Sequence, residues 1–141
     1  MEVLKKILSE ILFNIISKLD FSKLYEIRLR NGQPITINYN NNIYFVGENG
    51  LTNKENDSLK ADKEDISQII ANSSNYSLYA INDQLKQGYI SAYGGIRIGV
   101  VGEIVDENSA IITVKNFNGL NIRIPHEVKG CSLNVLPYLF N

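Results

Sequence analysis

Four arginines stand apart in this sequence: Arg28, Arg30, Arg97 and Arg123. Lysine outnumbers arginine ten to four and supplies most of the positive charge. The arginines instead sit inside strand-like segments. Arg28 and Arg30 flank Leu29, and residues two apart on a strand project from the same face. Arg97 lies between Ile96 and Ile98, and Arg123 lies between Ile122 and Ile124. With the isoleucines facing a core, all four arginines stand on the opposite faces of their strands. A planar guanidinium binds carboxylate or phosphate through two parallel hydrogen bonds, which lysine cannot do. Two readings follow. In one, each arginine pairs with Glu26, Glu103, Glu127 or another acid and decorates the sheet, a weakly stabilising role. In the other, the arginines bind phosphate.

Other chemistry is thinly represented. Gly94 and Gly99 have the glycine spacing of a phosphate-binding P-loop, but Val100 and Val101 follow where Lys and Ser/Thr are required. The segment alternates like a strand hairpin. One histidine, His126, and one cysteine, Cys131, fall short of a zinc ligand set. They also lack a third group to orient the histidine for nucleophilic catalysis. Cys131 reads as a small buried hydrophobe, and His126 as a loop residue after Pro125. Asp62, Glu64 and Asp65 open an expected helix, where negative charge complements the helix dipole. No catalytic residue, metal or cofactor is assigned to this chain.

Composition narrows the class. The chain has 141 residues, 44% hydrophobic and 21% charged, a globular balance that suits one domain rather than a disordered chain. The net charge of −1 argues against a general nucleic-acid binder, which neutralises phosphates with a basic surplus. The alternative function is nonetheless a nucleic-acid module built on the arginine-bearing face, with Tyr89 and Tyr93 nearby. A single cysteine excludes an internal disulfide and fits a reducing cytoplasm. No apolar run is long enough to span a membrane, and the N-terminus lacks the unbroken apolar segment of a signal peptide.

The elements that position the arginines are readable from periodicity. Residues 1–19 carry an amphipathic helix: Val3, Leu4, Ile7, Leu8, Ile11, Leu12, Ile15, Ile16 and Leu19 share one face. That stripe is either core or a docking face for a partner or neighbouring subunit, with Ile7, Ile11 and Ile15 at its centre. Residues 24–46 read as a first β-meander, with a hairpin turn at Asn40-Asn41-Asn42. Residues 63–86 read as two helices, over Lys63–Asn72 and Tyr76–Lys86. Residues 88–124 form a second meander, with strands interrupted at Gly102 and between Lys115 and Leu120. Residues 125–141 follow as a linker or closing element. Hairpins dominate and strands do not alternate one by one with helices. The class is therefore α+β with mainly antiparallel sheet.

Several segments in order resemble one family. Tyr25-Glu26-Ile27-Arg28-Leu29-Arg30-Asn31-Gly32-Gln33-Pro34 is similar to the E-I-R-L-R-x-G-x-P signature of the stage III sporulation protein AA family. Tyr76-Ser77-Leu78-Tyr79-Ala80 and Gln87-Gly88-Tyr89-Ile90 resemble its S-L-Y-A and Q-G-[FY]-I segments. Gly94-Gly95-Ile96-Arg97-Ile98-Gly99-Val100-Val101-Gly102-Glu103 resembles its G-G-x-R-[IV]-G-x-x-G-E hairpin. Residues 120–131, from Leu120-Asn121-Ile122-Arg123-Ile124 to Gly130-Cys131, resemble the segment that leads to its motor domain. The resemblance implies a PAS-like N-terminal domain, ending here at Asn141 before a P-loop ATPase of the secretion and type IV pilus class. It implies a homohexameric parent that uses ATP and Mg, in the mother-cell cytoplasm against the forespore-facing membrane. Its partners would be its own ATPase domain, neighbouring subunits and membrane proteins of the sporulation channel. The same resemblance implies that Arg97 and Arg123 reach the nucleotide phosphates when the ring closes. It leaves Arg28 and Arg30 to either phosphate or the neighbouring subunit.

Overall fold

Alternation of apolar and polar residues builds a single seven-stranded sheet. The computed structural model describes residues 2–73, 88–107 and 111–126. The strands are β1 (Leu24–Arg30), β2 (Thr36–Tyr39), β3 (Asn42–Gly47), β4 (Gly50–Thr52), β5 (Tyr89–Ser91), β6 (Arg97–Glu107) and β7 (Ile111–Arg123). Their order is β4-β3-β2-β1-β7-β6-β5, and every pairing is antiparallel. The first meander thus forms one half of the sheet and the second the other, joined where β1 pairs with β7. This is the expected α+β class, and its topology is compatible with a PAS-like arrangement.

One face of the sheet is apolar. Ile27, Leu29, Ile37, Val46, Ile90, Ile98, Leu120 and Ile122 are all buried there. Fully burying such a side chain contributes about 1.5–3 kcal/mol. Three helices supply the other half of the core: α1 (Glu2–Ile7), α2 (Glu10–Ile16) and α3 (Lys63–Ser73). Leu4, Leu12, Ile16, Ile66 and Ile69 are their buried contribution. The α1 helix touches α3, and α3 touches β7. The second expected helix, over Tyr76–Lys86, and Cys131 lie outside the described residues.

The N-terminal helix is broken where the sequence reads as continuous. Ser9, on the polar side of the periodic pattern, has an extended backbone and accepts a hydrogen bond from the Leu12 amide at 3.3 Å. It is the N-cap of α2, a role that suits serine better than a helix interior. At the end of α1, Asn72 of α3 donates to the Ile7 carbonyl at 3.1 Å. The break turns Ile7 and Ile15 inward, to 2% and 6% exposure, while Ile11 is left 66% exposed. Of the three residues read as a docking stripe, Ile7 and Ile15 are therefore core side chains. Ile11 alone is free to meet a partner.

The acids before α3 are a cap. Asp62 Oδ1 accepts from the Asp65 amide at 2.8 Å, and Asp65 Oδ2 accepts from the Asp62 amide at 3.1 Å. This reciprocal arrangement satisfies two otherwise unpaired donors. Burial raises the Asp65 carboxyl above its ordinary value, and the charges of Asp62 and Glu64 add to that rise.

Two breaks expected in the second meander are absent. β6 continues through Gly102 with a register shift between Val101 and Glu103. β7 runs unbroken from Ile111 to Arg123, so the two last strands of the sequence reading are one. Glycine signals a bulge or a close approach as readily as a strand end. The first hairpin turn lies where expected but is shorter: Asn40 and Asn41 both have left-handed φ, 53° and 65°, as a two-residue hairpin turn requires, and Asn42 already pairs with Tyr39 as the first residue of β3.

Candidate functional site

Strand pairing assembles all four arginines on one face of the sheet, opposite the helices. The register lays the central strands out as three rows. The first row runs Asn38, Glu26, Arg123, Arg97, Ser91 across β2, β1, β7, β6 and β5. The second runs Thr36, Arg28, Asn121, Gly99, Tyr89 across the same strands. The third places Arg30 beside Gly119 and Gly119 beside Val101. Two arginines from the first meander and two from the second, about 70 to 95 residues apart in sequence, become neighbours.

Each arginine has a different local employment. Arg30 lies flat on β7. Its Nη1 donates to the Leu29 carbonyl at 2.9 Å and to the Leu120 carbonyl at 3.2 Å. Burial, then the charge of Arg28, lower its guanidinium below the ordinary value, while Glu26 acts the other way. Gly119 makes this possible, because a Cβ there would stand 2.6 Å from Arg30 Cδ. Arg30 is thus engaged within the sheet. Arg28 is half-exposed, with Nη2 at 3.9 Å from Glu26 Oε1, an ion pair too long for a hydrogen bond. Arg97 places its guanidinium 5.1 Å from the centre of the Tyr89 ring, a cation–π contact. Arg97 and Arg123 are both exposed.

The Arg97–Arg123 pair is the feature that decoration of the sheet does not explain. The two are direct cross-strand partners on β6 and β7. Like charges directly opposite each other destabilise a sheet. Among the described residues no carboxylate forms an ion pair with either. Two exposed guanidiniums side by side have the chemistry to receive an anion. Bidentate donors on neighbouring strands, about 4.8 Å apart, can grip adjacent oxygens of one phosphate or of two linked ones.

The face also holds unsatisfied acceptors. Glu26 Oε1, Asn38 Oδ1 and Asn121 Oδ1 are buried without a hydrogen-bond partner. Leaving a buried acceptor unpaired costs about 1–3 kcal/mol. Asn38 and Asn121 alternate with buried isoleucines just as the arginines do. That alternation is the signal in the sequence that marks them as residues of the arginine face. Ile43, 65% exposed, and Val101, 38% exposed, give the same face an apolar component. The end of β7 is fixed differently from a plain loop. His126 reaches the Leu24 carbonyl and sets its ring 4.7 Å from that of Tyr25.

A family described as "Sporulation stage III, protein AA" matches residues 1–141. The chain belongs to the sporulation stage III protein AA family. It is 27% identical over 143 residues to the stage III sporulation protein AA of Bacillus subtilis (strain 168). That alignment takes in 99% of this chain and 43% of the relative, so the chain spans less than half the length of the curated relative it matches. No solved structure matches it. Within the family frame, the segments that carry Arg28, Arg30, Arg97 and Arg123 are those brought together on the open face. Among the described residues no helix is long and apolar enough to cross a membrane. Among the same residues, no group of three His, Cys, Asp or Glu side chains comes together to hold a metal ion.

Proposed function

We propose that this domain is the N-terminal, regulatory part of a sporulation ATPase, and that its arginine-bearing face completes a nucleotide site built by a motor domain elsewhere in the longer protein. The observation that carries this reading is the cross-strand opposition of Arg97 and Arg123. Like charges directly opposite each other destabilise a sheet, and an anion bound between them would offset that cost. Family membership and the relative's greater length support it, since both leave room for a motor domain beyond this chain.

In this reading Arg97 and Arg123 donate to phosphate oxygens once the domain closes over the site. They neutralise charge that develops on the transferred phosphoryl group, the largest service a protein renders to that reaction. Tyr89 holds Arg97 at a fixed height above the sheet. Arg28 extends the cationic strip toward β1, where phosphate or a neighbouring subunit can meet it. Ile11 offers an apolar contact on the opposite side of the domain. ATP and Mg belong to the motor domain, and a ring of six subunits brings each sheet face against a nucleotide. The assembly would work in the mother-cell cytoplasm, at the membrane facing the forespore, and energise the channel between the two cells.

A nucleic-acid module fits the same face less well. The net charge is −1, and Tyr89 lies under Arg97 where a base would need to stack. The first test is simple. The purified 141-residue chain should hydrolyse no ATP, because it supplies charge to a site whose phosphate-cradling loop it does not contain. Turnover above background that survives repurification would overturn the reading.

A further inference from the structure

Glu26 is the one carboxylate among the described residues in the three arginine rows. It stands directly opposite Arg123 on β7 and two residues from Arg28 on its own strand. The neighbouring pair, Tyr25 and Ile124, is hydrogen-bonded, with the Ile124 amide 2.9 Å from the Tyr25 carbonyl. Pair types alternate along an antiparallel ladder, so Glu26 and Arg123 form the closer-spaced, non-hydrogen-bonded kind. The Oε1 atom is buried, unbonded, and 3.9 Å from Arg28 Nη2. A carboxylate oxygen in that position is under-satisfied, with the Arg28 guanidinium beside it and Arg123 as the residue opposite on the next strand.

We propose that Glu26 is a built-in competitor for the arginine face: it pairs with Arg28 in the empty domain and stands opposite Arg123, and a polyphosphate must displace its charge to bind. This rests on the phosphate-binding reading above and goes further, because it assigns opposite signs to neighbouring residues of one motif. The arginines raise anion affinity, and the glutamate between them lowers it. The consequence is selectivity by charge. A ligand with several negative charges overcomes one carboxylate, whereas a monovalent anion or a lone carboxylate does not. The domain would then close on a nucleoside triphosphate more readily than on free phosphate.

The test is a calorimetric titration of the 141-residue chain at low salt with inorganic phosphate, pyrophosphate and tripolyphosphate. Wild type, Glu26→Gln and the Arg97→Ala/Arg123→Ala double variant are compared. Glu26→Gln keeps the size and the acceptor oxygen and removes the charge. Deleting a like charge within several ångströms of a bound anion should tighten tripolyphosphate binding about tenfold. The gain should shrink toward inorganic phosphate, a charge dependence that a merely structural role would not produce. Glu26→Asp keeps the charge but draws it back by one methylene, so it should fall between wild type and Glu26→Gln. It carries the comparison, with the same sign, should Glu26→Gln not fold. Equal or weaker binding by the glutamine variant, with binding still lost in the arginine double variant, would overturn the competitor role and leave the phosphate reading standing. Absence of binding in every variant would overturn both.

Discussion

Replacing Arg97 or Arg123 with alanine in the longer protein should lower ATP turnover by roughly 10²- to 10³-fold, the loss seen when one preorganised donor to a developing negative charge is removed. Folding should be left almost untouched. Both side chains are exposed, and neither forms an ion pair among the described residues. Surface substitutions of this kind usually stay within about 0.5 kcal/mol. The sign is informative as well. Arg97 faces Arg123 across the β6–β7 ladder, so removing either relieves a repulsion. The variants should melt at the same temperature as the parent or slightly above it. Arg97→Ala additionally gives up the contact with Tyr89, worth about 0.5–1 kcal/mol at an exposed site, and should be the less stable of the two. Steady-state ATPase assays beside thermal unfolding check this. Unchanged turnover in both variants, or a turnover loss that tracks lost stability, would remove the arginines from the nucleotide site.

Gly119→Ala should destabilise the domain by about 2–3 kcal/mol, against the usual preference for alanine over glycine inside a strand. A Cβ at this position would lie 2.6 Å from Arg30 Cδ, 2.7 Å from the Leu29 carbonyl oxygen and 2.9 Å from Arg30 Nη1. The Arg30 side chain can swing away, at the expense of its two hydrogen bonds to backbone carbonyls. The Leu29 carbonyl cannot move without parting β1 from β7, the seam between the two meanders. Arg30→Ala should therefore rescue only part of the loss. In that background the glycine substitution should still cost about 1 kcal/mol or more, as coupled neighbours are not additive. Urea unfolding of the four species closes the cycle. A Gly119→Ala variant within about 0.5 kcal/mol of the parent would show that the seam tolerates a methyl group and that Arg30 is not held by the glycine.

The sheet was legible because its signal is a period of two. Ile27 and Leu29 between Glu26, Arg28 and Arg30, and Ile122 between Asn121 and Arg123, state which side faces the helices. The same alternation placed the arginines on the outer side. Strand order was not legible, since it depends on pairings between residues nearly a hundred positions apart. Without it the opposition of Arg97 and Arg123, and of Glu26 and Arg123, was out of view. Three local features carry a commoner meaning in sequence than the one they have in the fold. Ser9 fits the polar side of one long helix, but it caps a second helix. Gly102 and the stretch between Lys115 and Leu120 read as strand breaks, but Gly102 sits at a register shift and Gly119, within that stretch, admits Arg30. The apolar stripe of residues 3–19 could not distinguish core from docking face, because both want the same side chains. Tertiary packing divides it, with Ile7 and Ile15 inside and Ile11 outside.

The open face of this sheet should meet a nucleotide. The most direct measurement is a structure of the longer protein with a non-hydrolysable ATP analogue and Mg. A guanidinium nitrogen of Arg97 or Arg123 should lie roughly 2.7–2.9 Å from a phosphate oxygen, with Glu26 drawn away from Arg28. A structure in which the nucleotide is bound while both arginines remain at solvent, or face another partner beyond hydrogen-bond reach of any phosphate, would contradict it.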